Sequence, residues 1–207
     1  MNINNTVVLA ALQKELAARG FELDLKNERF AKATDFGAFY FQLVFTDKAG
    51  ALLVSPGAYI RFNAVENIST RVSELSEGEA AHSFTIGVDL WRFFNDKSLR
   101  FVGTKGEDIS HLVTSIVCSF DKYANPYFTE FGSLEKVDSL LNDNPGVPCP
   151  HRLLPWLRAV TGLVVAKVME RKDFPQLQEF YSEQVRSISN GFYWLRFEKL
   201  LTLLRGK

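Results

Sequence analysis

The chain has 207 residues, 46% of them hydrophobic, and its 24 basic residues balance 24 acidic ones. That length and apolar content exclude general disorder and allow a sizeable core, while zero net charge excludes a surface built throughout to hold nucleic acid. Phenylalanine supplies 18 rings against 6 Tyr and 3 Trp, so most of the aromatic content carries no polar handle.

The opening stretch lacks a basic leader region, and Gln13, Lys14 and Glu15 interrupt its apolar run, so it does not read as a signal peptide. Residues 5–19 predict a helix: Asn5 can cap it, Val8, Leu9, Leu12 and Leu16 share a stripe, and Gly20 sits where a left-handed cap belongs. From Phe21 the period shifts towards two, predicting strand runs at 21–31, 37–46, 50–54 and 58–62, with a turn at 47–50 and a break at Ser55-Pro-Gly57. In the second run Phe39, Phe41, Leu43 and Phe45 share one face; Phe36, Ala38, Tyr40 and Val44 share the other. Apolar residues on both faces predict an inner strand covered twice, or one whose outer face meets a partner.

A short helix is expected at 64–75 and a turn at Glu77-Gly-Glu79. His82, Phe84, Ile86, Val88 and Leu90 then alternate with Ser83, Thr85, Gly87 and Asp89, a half-buried strand pattern, and residues 99–103 offer a last strand. Ile109, Leu112, Val113, Ile116, Val117 and Phe120 mark an amphipathic helix that Asn125-Pro126 should end. Ser133 can cap a helix reaching Leu141, and residues 142–150, with three prolines and a glycine, make the best boundary. Helices at about 151–170, 175–189 and 192–205 follow. The expected fold is α+β: a mainly antiparallel sheet of four to six strands backed by helices in residues 1–141, with a helical section at 151–207 packed beside it.

Nucleotide-binding, zincin, nucleophile-elbow and paired CxxC motifs are missing, and three scattered histidines suggest neither a metal site nor a cofactor. The two glycines and lysine of Val102–Gly106 precede a helix, but Glu107 and Asp108 repel an anion there. Cys149 and His151 are the one thiol–imidazole neighbourhood, a reactive pair if a base activates the thiol and a packed loop cysteine beside a helix-start histidine otherwise. Two cysteines do not make a disulfide framework, so a reduced, cytoplasmic setting is expected. No window reaches membrane-span length. Charge divides unevenly, with residues 1–150 at −5 and residues 151–207 at +5, and this basic section suits an acidic partner or the acidic part of its own chain better than nucleic acid. Tyr123, Tyr127, Phe128 and Phe131 gather around Asn125-Pro126 as a second candidate partner or pocket surface beside Phe39 and Phe41.

An opening helix running into Arg19-Gly-Phe21, aromatic strands, Tyr123-Ala-Asn-Pro-Tyr-Phe128, Gly132-Ser-Leu134 and a tail with Gly191-Phe-Tyr193 resemble small bacterial proteins of unknown function. Some of these are similar to immunity proteins of toxin neighbourhoods. The resemblance implies a non-enzymatic cytoplasmic protein that binds another protein; it carries over no active site. The expected function is therefore a protein-binding module using the open sheet face, a sheet edge or the aromatic cluster. An enzyme or small-ligand protein with its site between sheet and C-terminal helices is the alternative. Nothing in the pattern selects an oligomeric state.

Overall fold

A computed structural model describes residues 4–48, 50–73, 75–104 and 108–206. It is an α+β fold with a six-stranded antiparallel sheet. The chain divides into two compact units: Met1–Ile60 with Gly87–Glu130 form unit 1, and Arg61–Ile86 with Phe131–Lys207 form unit 2. The proline-rich stretch 142–150 lies inside unit 2. No helix among the described residues is long and apolar enough to cross a membrane.

Unit 1 opens with α1 (Asn5–Ala17), whose cap is Asn4 rather than Asn5: the Asn4 side chain accepts from Val7 N. Asn5 instead donates to Glu28 Oε1 at 2.7 Å. Gly20 has φ +81, the left-handed cap its position predicted. The run at 21–31 is two strands, β1 (Glu22–Asp24) and β2 (Arg29–Ala33). Asp24 folds the link between them by accepting from Asn27 N, and Glu28 adopts φ +50. Strand β3 (Gly37–Lys48) pairs with β2, and β4 runs unbroken over Ala51–Phe62. The break expected at Ser55–Gly57 does not occur. Strand β6 pairs with β4 only over Ala51–Val54, so Pro56, which lacks an N–H, falls beyond that ladder.

The chain continues through α2 (Asn63–Ser69) and α3 (Glu77–Ala81) of unit 2. The turn expected at 77–79 is instead the first turn of α3, because Ser76 and Glu79 close a capping box. Strand β5 covers only Ile86–Asp89 of the predicted 82–90 run and is followed by α4 (Leu90–Phe93). Ser83 and Thr85 leave the ladder because their hydroxyls turn to buried Glu66, at 2.6 and 3.0 Å. Strand β6 (Phe101–Thr104) ends the sheet, whose order is β1-β2-β3-β4-β5 with β6 also on β4. Lys105 and Gly106 of the glycine–lysine turn lie outside the described residues.

Helix α5 (Ile109–Ser119) does not stop before Pro126. A five-residue π-helix, Phe120–Ala124, leads directly into α6 (Asn125–Phe131). Asn125 N reaches back five residues to the Phe120 carbonyl, and this wider turn loosens the backbone where proline can neither donate nor tolerate a tight i−4 carbonyl. The core of unit 1 lies between one sheet face and these helices: Phe30 and Phe41 are fully buried, and Phe41 meets Phe120 edge-on at 5.1 Å.

Unit 2 adds α7 (Leu134–Asn142), capped by Ser133, then α8 (Pro155–Val168), α9 (Phe174–Ser187) and α10 (Trp194–Arg205). Helix α8 is buried at every residue from Arg158 to Ala166, because α2, α7, α9 and α10 all pack on it. This explains why the sequence of α8 is apolar almost all round. Gly162 lets Tyr181 and Asn142 approach the α8 backbone; a methyl there lies 2.6 Å from the Tyr181 hydroxyl oxygen. Asn142 Nδ2 donates to the Gly162 carbonyl at 3.0 Å and Tyr181 donates to Asn142 Oδ1 at 2.9 Å.

Candidate functional site

The aromatic residues singled out in the sequence mostly build core. Phe41, Tyr127 and Phe128 are buried, and Phe39 stacks on Phe128 at 4.8 Å. Tyr123 is half-buried beside exposed Phe94, 4.6 Å away, with the Lys122 ammonium 4.9 Å from its ring. Phe131 belongs to unit 2, where its ring meets His151 at 4.8 Å.

The outer face of the sheet is half-closed by its own side chains. The Arg29 guanidinium lies 3.8 Å over the Tyr40 ring and pairs with Asp24 at 3.0 Å. Tyr59 lies across Gly57 and Gly87 and donates to Asp89 Oδ1 at 2.9 Å; burial raises its pKa, and Asp89 raises it further. Val44 and Val102 remain exposed. The three residues of β1 and the four each of β5 and β6 leave little free edge for strand addition.

Cys149 and His151 are both buried. Burial pushes the His151 pKa down to about 4, so the ring is neutral at pH 7 and packs against Phe131. The chain on either side of them is held by arginines. Arg158, on α8, donates to the carbonyls of Leu141 (2.8 Å), Asn144 (3.0 Å) and Val147. Arg152 donates to the Phe84 carbonyl at 3.1 Å, and burial lowers its pKa. Among the described residues no group of three or more His, Cys, Asp and Glu side chains is placed to hold a metal.

A surface that takes in the Gly191-Phe-Tyr193 segment noted in the sequence stands out in unit 2. Trp156 and Tyr193 stack face to face at 4.7 Å with 5° between their planes. That stack brings the first turn of α8 against the residue that precedes α10. Beside it Leu153, Leu154, Phe192 and Leu195 are 67, 55, 67 and 64% exposed. Large apolar side chains scattered singly are ordinary, but here four lie in two segments that the Trp156–Tyr193 stack brings together. Cations flank one side of it: Arg196 lies 5.9 Å over Phe192 and Arg186 4.0 Å over Trp194.

Two concavities belong to the same unit. A cleft of 840 Å³ is lined by residues of α2, the end of α8 and the start of α9, among them Asn67, Ile68, Lys167 and Phe174. A groove of 430 Å³ runs along α10. No protein-family model matches the chain, and no curated protein or solved structure matches it significantly.

Proposed function

We propose that the protein is a non-catalytic protein-binding module of immunity-like type, with its interface on the apolar patch before α8 and α10. The observation that carries this reading is the exposure of Leu153, Leu154, Phe192 and Leu195 around the Trp156–Tyr193 stack. Rigid stacked aromatics beside exposed aliphatic side chains offer contact area at little entropic cost, which is how binding hot spots are made. The burial of both Cys149 and His151 supports the same reading, since a substrate would have to reach them away from solvent.

The test compares the wild-type chain with Phe192→Asp/Leu195→Asp, both immobilised, against extract of the native cell. A protein retained in stoichiometric amount by the wild type and lost by the variant, whose circular dichroism and melting are unchanged, is the expected outcome. Equal retention by the two, or none by either, overturns the reading.

The 840 Å³ cleft favours a second reading, a small-ligand-binding protein. Its mark is a small molecule that raises the melting temperature of the wild type but not of Ala64→Trp, which fills the cleft from its exposed rim.

A further inference from the structure

The chemistry of the partner can be read from the groove along α10, and this inference rests on the protein-binding reading above. Arg186, Trp194, Leu195, Glu198, Lys199 and Arg205 are among its lining residues. Among the described residues Arg186, Lys199 and Arg205 are engaged in no ion pair, although each is exposed and able to form one. Three cations against Glu198 leave an excess of positive charge over a groove with an indole in its wall, and such a groove draws carboxylates. From Leu195 to Arg205 the lining follows one side of α10 for nearly three turns, about 15 Å of rise. That length accommodates several turns of a second helix laid alongside, its charged and apolar residues repeating every three to four positions.

Other occupants fit less well. A second copy docking through the same face would set these cations against their own counterparts. A flat anionic membrane does not enter a concave groove, and it would meet Glu198 between the cations.

We propose that this groove receives an acidic amphipathic helix of a partner protein. The partner's carboxylates pair with Arg186, Lys199 and Arg205, and its apolar residues seat on Trp194 and Leu195. The probe is a synthetic helical peptide of about 18 residues with leucines on one face and glutamates on the other, titrated calorimetrically into the full chain. A second peptide has the same leucines with lysines in place of glutamates. The expected result is binding of the glutamate peptide alone, weakened about tenfold or more when salt rises from about 50 to 500 mM. Binding should be abolished in Arg186→Glu/Lys199→Glu/Arg205→Glu, with the melting temperature kept.

Binding of the lysine peptide with equal strength, binding of the glutamate peptide undiminished in the triple variant, or binding of neither peptide overturns the acidic-helix proposal. So does binding only to vesicles of mixed phosphatidylserine and phosphatidylcholine. The protein-binding reading fails separately, through the Phe192→Asp/Leu195→Asp retention experiment, so the two failures are distinguishable.

Discussion

His151 illustrates how a chemically suggestive residue becomes a structural one. Its ring is 5% exposed, lies against Phe131 and has a pKa near 4 against an ordinary 6.5. The unfolded chain therefore binds a proton between those values that the folded chain refuses, and stability falls as pH is lowered through that window. The expected loss from this residue between pH 6.5 and 4 is about 2–3 kcal/mol. His151→Phe should flatten that part of the melting-temperature profile, and a variant with the wild-type slope would refute the assignment. Arg158 makes a complementary case. It is 5% exposed and donates to three backbone carbonyls, Leu141 in the last turn of α7 and Asn144 and Val147 in the loop that follows. Arg158→Leu should cost about 2–4 kcal/mol in urea unfolding by removing the bonds that tie this loop to α8, and should expose residues 142–150 to proteolysis. A loop as resistant as that of the wild type would show that it orders itself without the guanidinium.

At the scale of elements, the helices were the most legible part, because apolar residues three and four apart mark a buried stripe directly. The spacings of α1, α5 and α7 all predict the observed helices, and Ser133 caps α7 as its position suggests. Proline was the less reliable guide. Pro126 was expected to end a helix and Pro56 a strand, yet both elements continue, one through a π-turn and the other beyond the reach of the β6 ladder. A local rule sees the missing N–H but not the neighbour that makes it harmless. The Leu153–Leu154 part of the candidate site was hidden for a related reason. Leu153 reads as one more apolar position of a helical stripe, and nothing local says that no other element covers it. Tyr59 presents a similar non-local arrangement, because its ring fills the space over Gly57 and Gly87 on separate strands. A Cβ added at Gly87 falls 2.0 Å from the Tyr59 ring. Gly87→Ala should therefore destabilise by about 1–3 kcal/mol, and the penalty should shrink when Tyr59→Ser is added. A double-mutant cycle measures this coupling, and full additivity would show that the ring moves aside freely.

The whole molecule is organised by how its chain is shared out. Unit 2 takes Arg61–Ile86 from the middle of the sequence and Phe131–Lys207 from its end. Helix α2, from the earlier stretch, packs on α8 from the later one, and Val65, Ile68 and Val72 are buried. Residues 131–207 alone should consequently fail to fold cooperatively, despite containing most of the helices of unit 2. Adding a peptide of residues 61–86 should restore helical circular dichroism and a cooperative melt; a fragment that folds unaided would show that α2 is dispensable to that core. The division of charge between −5 and +5 does not follow this division of structure, since it was drawn at residue 150 and unit 2 begins much earlier in the chain. The shared chain also constrains inheritance. Since unit 2 is written in two stretches with part of unit 1 between them, no single crossover in the gene can transfer either unit intact. The two travel as one cassette, so a change in the surface of either unit arises by substitution instead of by acquiring a ready-made module.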